Sequence, residues 1–319
     1  MCRPYVDFTA ASEAVIFCCH SPISKVNILK SSKVICSRSI NLLIIALFFL
    51  LPIGTSAAGE ISPGLIAIPA GDFIMGSTAG EREYGYALDE QRGSDASRYY
   101  HWFENEIRRY MSVEKYYIDR YLVTNSQYQR FVLETGHMTP RVDLDTWKHY
   151  GFIHSFDETR RFQWHENGFP SERGHHPVVL VSAQDASSFC HWRGNKNSQT
   201  TRLPTEQEWE KAARGVQGNY FPWGNEFDAE RLNSMDKGPY DTQEVGMYPN
   251  GVSPFGMHDA AGMVFEWTAT ACPNNTSASV VKGGSWDDYP GVTRPAARHC
   301  RDNKIKHILI GFRCVVESL

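Results

Sequence analysis

The sequence predicts an α+β fold with little regular secondary structure, and three observations carry that reading. Thr124 with Gln127, Ser182 with Asp185 and Thr205 with Glu208 each announce a helix. In each pair the hydroxyl can accept from an orphan backbone N–H while the residue three positions on reaches back to the cap. Alternating apolar positions in Leu65–Ser77, closing on a glycine, announce a strand and a turn. Beyond Gly215 the signals are turns at Pro222, Gly224, Gly238-Pro239, Pro249-Asn250-Gly251 and Gly283-Gly284, so the last third reads as irregular chain with short strands.

Helix by helix, the apolar residues fall on single faces. The first helix gathers Tyr128, Phe131 and Val132 and stops by Gly136; the third gathers Trp209, Ala212 and Ala213 and stops at Gly215. Such stripes are core-forming. A domain this poor in regular structure needs staples, and disulfides or metal ions are the usual ones.

A net charge of -4 and a pI near 6.3 argue against a nucleic-acid surface. Glu81–Tyr121 mixes both signs with many aromatics and reads as a solvated insertion, part of a variable segment at about 80–175 whose His149, His154, His175 and His176 read as surface histidines. Leu42–Leu51 is an unbroken apolar run after Lys30, Lys33 and Arg38 and before the small residues Thr55–Ala58. It is too short to span a bilayer as a helix and suits a signal peptide cleaved near Ala57 or Ala58. Residues 1–58 are therefore expected to be a leader and 59–319 the mature domain, periplasmic or secreted, with no stable membrane span after cleavage. The run lies far from Met1 and the next methionine is Met75, so the first 25–33 residues are expected not to be translated. Cys190, Cys272, Cys300 and Cys314 remain in the mature part, an even count that allows two disulfides in three pairings. No C-x-x-C pair suggests zinc.

Five blocks in fixed order carry a family resemblance: TRLPTEQEWEKAARG (Thr201–Gly215), FPWGN (Phe221–Asn225), SPFGMHDAAGMVFEW (Ser253–Trp267), VKGGSW (Val281–Trp286) and GFRC (Gly311–Cys314). The chain resembles the sulfatase-modifying factors, or formylglycine-generating enzymes, from about Leu65 to Val316. The resemblance implies the formylglycine-generating-enzyme fold, a compact single domain related to C-type lectins, and a protein or peptide as substrate or partner. It also implies a Cys190–Cys314 disulfide, which leaves Cys272 and Cys300 to pair with each other without family support. The family's second bridge would need cysteines near Ala213 and Pro295, where this chain has none. Structural calcium is implied at Asp259 and Glu266 with the carbonyls of Gly262 and Val264, a hard-oxygen set of the kind Ca²⁺ prefers. The resemblance maps a second calcium site to Asn233, Ser234, Asp236 and Gly238.

The resemblance breaks at the family's copper-binding cysteine pair. Cu(I) needs two facing soft thiolates, yet after GGS the chain runs WDDYPGVTRPAARHC, with Asp288 at the first thiolate position. The histidine pattern H-x-x-x-H-x-E of iron-dependent relatives is also absent. Copper-dependent formylglycine formation is therefore not expected, and any redox metal is left open. In its place, a groove at Ser285 and Trp286 with Asp287, Asp288, Arg294, Arg298 and His299 suits acid–base or metal-assisted work, because carboxylates beside an imidazole are its usual partners. The competing reading is that Asp–Arg pairs merely lock the loop. Two functions follow: an exported maturation or oxidoreductase-type factor acting on a protein or peptide through a non-cysteine site, or a non-catalytic peptide-binding module of the same fold.

Overall fold

A computed structural model describes residues 64–317, so the expected leader, its cleavage point and Cys2, Cys18, Cys19 and Cys36 lie outside the described residues. The single strand expected at the start is two, β1 (Leu65–Ile68) and β2 (Gly71–Met75). Pro69, which has no N–H to donate, falls between them. The chain continues through α1 (Ala79–Glu90), α2 (Ala96–Tyr99), β3 (Arg109–Val113) and β4 (Tyr116–Asp119). Next come α3 (Asn125–Thr135), α4 (Leu144–Tyr150), α5 (Phe156–Thr159), α6 (Ala183–Asn197), β5 (Thr201–Arg202) and α7 (Glu206–Arg214). The strands β6 (Phe265–Cys272), β7 (Asn275–Lys282), β8 (Arg298–Asp302), β9 (Ile310–Gly311) and β10 (Val315–Val316) close it.

The three expected capping boxes are formed at α3, α6 and α7. One sheet has the order β1-β4-β10-β5, another β8-β7-β6-β9, and β2 pairs with β3 alone. The last third is less irregular than expected, because β6 and β7 are eight-residue strands, the longest in the fold. Cross-strand pairing of Val281 with His299 sets the register of β8.

Tyr128, Phe131, Phe189 and Phe312 interlock in the main core, where Trp267 donates its indole N–H to the Val181 carbonyl at 3.0 Å. A disulfide between Cys190 and Cys314 joins α6 to the C-terminal strands inside this core. A second, between Cys272 and Cys300, joins the end of β6 to β8.

Glu81–Tyr121 is not a solvated insertion. Helix α1 buries Glu81 completely, Phe103 and Tyr116 belong to the core, and Glu106 is 2% exposed. The charges that suggested solvation are paired internally: Arg214 binds Glu81 at 2.9 Å and Arg294 binds Glu106 at 3.0 Å and Glu81 at 3.4 Å. Gly85 makes room for this, since a Cβ there would lie 2.5 Å from the Arg294 Nε.

Candidate functional site

Where β7 ends, Gly284 adopts a left-handed φ of 69° and turns the chain into Ser285-Trp286-Asp287-Asp288. The turn is closed by Asp288, whose Oδ2 accepts from the Ser285 N–H at 2.9 Å and from its hydroxyl at 2.5 Å. This fixes the Asp288 carboxyl under the loop. Burial raises its pKa to about 7; the Ser285 hydrogen bond and Arg301 pull it down, and the neighbouring Asp287 charge pushes it up. Trp286 is fully buried and its indole N–H has no hydrogen-bond partner among the described residues.

The partner of Asp287 comes from the middle of the chain. His154 Nε2 stands 2.9 Å from Asp287 Oδ2, an ion-pair contact set off the ring's N–H direction. His154 immediately precedes Ser155, the N-cap of α5, and the capping glutamate serves both residues. Glu158 Oε2 accepts from the Ser155 N–H at 2.6 Å, while its Oε1 stands 3.3 Å from His154 Nδ1. Burial opposes protonation of His154, but the two carboxylates outweigh it and raise its pKa above the ordinary value. Far from lying on the surface, His154 is 7% exposed, its ring against Trp286 and His307. His307 is the opposite case: burial and the His154 and Arg301 charges push its pKa well down, and its Nδ1 accepts from the Leu309 N–H.

Tyr240, half exposed, closes the outer side. Its ring meets Trp286 edge-on at 5.5 Å, and burial and the Asp287 carboxylate raise the pKa of its hydroxyl. Arg161 lies over the Trp286 ring at 5.5 Å and donates to the Tyr240 carbonyl at 3.0 Å. The result is an aromatic-walled group of proton-exchanging side chains open to solvent at Tyr240.

Of the residues expected here, Ser285, Trp286, Asp287 and Asp288 converge, whereas Arg294, Arg298 and His299 are held elsewhere. Arg294 is fully buried between Glu81 and Glu106 and packs over Phe103. Arg298 pairs with Glu206 at 2.8 Å. The His299 ring sits between Trp102 and Phe265, with burial and the Arg301 and Lys282 charges pushing its pKa down to about 3, so it is neutral at physiological pH. For Arg298 and His299 strand geometry explains the divergence, since residues adjacent in sequence alternate across β8, and β8 lies on the far side of β7 from β6; Arg294, ahead of β8, is held by Glu81 and Glu106. His154, Tyr240 and Glu158 were missed. The Ser155/Glu158 capping pair was legible and fixes the position of His154, but nothing local pairs it with Asp287.

Every cysteine among the described residues is disulfide-bonded, so none of them offers a thiolate. Among those residues no three His, Cys, Asp or Glu side chains form a ready ligand set. In the set expected for calcium, both carboxylates are buried: Arg313 donates to both oxygens of Glu266 (2.6 and 2.7 Å), and Asp259 accepts the Gly246 N–H at 2.8 Å. Burial lifts the Asp259 pKa to about 6, the Gly246 N–H and Arg313 pull it down, and the Glu266 charge pushes it up. Asn233 and Ser234, whose Oδ1 and Oγ are buried without partners, adjoin the same loop through a Met263 N–H to Asn233 carbonyl bond of 2.8 Å. Asp236 does not join them, being paired with Arg92 at 2.5 Å, and Gly238 packs against the Asn233 side chain.

Residues 54–318 match the family model described as sulfatase-modifying factor enzyme 1-like domain. The chain is 31% identical over 260 residues to the mouse inactive C-alpha-formylglycine-generating enzyme 2, covering 71% of this chain and 75% of that relative. It is 28% identical over 316 residues to the formylglycine-generating enzyme of Thermomonospora curvata, covering 82% and 95%. Among solved structures, PvdO from Pseudomonas aeruginosa superposes with a TM-score of 0.60 at 22% identity, over 79% of this chain and 94% of that one, a likeness of fold.

Proposed function

The chain belongs to the sulfatase-modifying factor enzyme 1-like domain family, and from that premise we propose that it is an exported modifying factor acting on a protein or peptide through a non-cysteine site. The observation that carries this reading is the meeting of His154 and Tyr240 at the single Asp287 carboxylate. An imidazole flanked by two carboxylates holds a proton, and a carboxyl whose pKa is near 7 can take or give one at neutral pH. In this arrangement Asp287 orients His154, Asp288 exchanges the substrate proton, and Tyr240, backed by the buried Trp286, forms the wall against which the substrate group rests. Export is supported by two disulfides in the described residues. Calcium at Asp259, Glu266 and the carbonyls of Gly262 and Val264 would stabilise the loop that leads into β6, supplying charge and not chemistry.

The absence of a thiolate among the described residues favours a second reading, a binding module that holds a peptide in the same groove without altering it. Asp157, exposed on α5 next to Glu158 and outside the reacting group, is the place to distinguish the two. A photo-crosslinking residue at position 157 should capture a protein partner in the native host. Mass analysis of that partner with wild-type protein and with Asp288→Asn then decides. A covalent mass change that disappears in the variant supports the modifying factor, whereas capture with no mass change in either supports the binding module.

A further inference from the structure

We propose that β3 pairs edge to edge with β3 of a second copy of this chain, antiparallel and centred on Met111. Strand β3 is bonded to β2 on one side, and among the described residues no strand covers its other edge. One hydrogen bond shows which backbone groups that edge presents. In an antiparallel pair, opposed residues alternately exchange both backbone bonds or none. Ile74, opposite Tyr110, spends its N–H on the Val216 carbonyl at 3.0 Å, away from β3. Ile74 and Tyr110 are therefore a non-exchanging pair, and so are Asp72 and Ser112 two positions along. The N–H and carbonyl groups of Tyr110 and Ser112 point outward instead, along the uncovered edge. Such an edge is a template for another strand.

The side chains say which strand. Alternation turns Met111 and Val113 toward the protein, where both are half-buried and Val113 packs on a core cluster. Arg108, Tyr110, Ser112 and Glu114 take the other face, and all four are exposed, Tyr110 at 77%. Charge on an edge usually serves to repel a second strand. Here, however, the sign reverses across Met111, with Arg108 three positions before it and Glu114 three after (111 − 108 and 114 − 111). Neither has an ion-pair partner among the described residues. A copy centred on Met111 sets Tyr110 opposite Ser112 of the second copy, so that outward-facing residues exchange both bonds. It also sets Arg108 opposite Glu114 of the second copy at each end of the ladder, and opposite charges directly across a strand pair attract. Centring on Tyr110 or Ser112 instead would leave both ion pairs unmade. An extended segment of uniform charge would meet its own sign at one end, which favours a second copy over a wholly acidic or wholly basic peptide. The contact is isologous and closes as a two-fold dimer. It uses no residue of the His154 site, so it stands or falls apart from the proposed activity.

Sedimentation equilibrium of the mature protein is expected to show a reversible monomer–dimer equilibrium. Arg108→Glu and Glu114→Arg each place like charges across the pair, and each should weaken the dimer at least tenfold. An equimolar mixture of the two variants should recover it, since each then offers the charge the other lacks; recovery also excludes a folding defect in either. Ser112→Pro removes an outward N–H without touching a bond to β2, as an edge strand tolerates, and should abolish the dimer. A protein monomeric at every concentration, a dimer indifferent to the charge variants, or a mixture no more dimeric than its components would overturn the proposal. So would amides of Tyr110 and Ser112 that resist hydrogen exchange only when a different protein is added.

Discussion

His154 Nε2 lies 2.9 Å from Asp287 Oδ2, tying the start of α5 to the loop after β7. These two segments are 133 positions apart in the sequence (287 − 154), and their contact makes a buried imidazole more basic than an exposed one. The raised pKa has a thermodynamic consequence. A histidine whose folded pKa exceeds its unfolded value adds stability that is fully present below about pH 6.5 and is lost as pH rises through the folded pKa. His154→Gln should therefore destabilise the protein more at pH 5.5 than at pH 8.5, as urea denaturation at the two pH values will register. An equal loss at both would remove the ion pair from the account.

Asp288 should shift stability with pH in the same direction, but here the cost lies in the charged form. Its folded pKa, about 7, lies above the unfolded value, so the folded state prefers the protonated acid and stability falls as pH rises from about 4 to about 7. Asp288→Asn is expected to raise the melting temperature at pH 8 and to leave it nearly unchanged at pH 4, while abolishing any covalent modification of the captured partner. A variant less stable than wild type at pH 8 would contradict this.

How far the sequence reached depends on the range of the interaction involved. The capping boxes at Thr124, Ser182 and Thr205 are three-residue signals, and each marks a helix where it was expected. Ser285–Asp288 was legible for the same reason, being one turn. Arg294, Arg298 and His299 were misplaced because adjacency in sequence was taken for adjacency in space: the alternation of β8 separates Arg298 from His299, and Glu81 and Glu106 hold Arg294 ahead of that strand. Glu81 and Glu106 looked solvated because their partners, Arg214 and Arg294, are 133 and 188 residues away. Charge pairing over such separations leaves no local pattern to read.

That buried cluster gives a stability prediction. Glu81 is fully buried and shared by Arg214 and Arg294, so Glu81→Ala leaves two guanidinium groups incompletely paired in the interior. Breaking a buried pair from one side costs about 3–5 kcal/mol. Chemical denaturation of Glu81→Ala should show a loss of that order, with Glu83→Ala, on the exposed face of α1, as a near-neutral control. Arg294 variants should likewise fail through folding and not through a pH-dependent step.

The two disulfides should differ in weight. The Cys190–Cys314 bridge closes 124 residues and the Cys272–Cys300 bridge 28. In the loop-entropy treatment they contribute about 5 and about 3.6 kcal/mol respectively. Paired Cys→Ala variants compared by thermal unfolding test the order, and a larger loss for the shorter loop would contradict it.

For calcium, chelation with EGTA should lower the melting temperature, and re-addition of Ca²⁺ should restore it. A ligand at 100 times its dissociation constant stabilises by about 2.7 kcal/mol, so a shift of several degrees is expected. Asp259→Ala should no longer respond. An unresponsive wild type would leave the buried Asp259 charge without the proposed cation.

The proposal that a carboxylate–imidazole pair stands at the centre of the site is tested most directly by an NMR pH titration of the histidine ring protons in the folded protein. His154 should titrate above pH 6.5 and fall toward the ordinary value in Asp287→Asn, while His299 and His307 stay neutral through the physiological range. A His154 that titrates at or below 6.5, indifferent to Asp287→Asn, would contradict it.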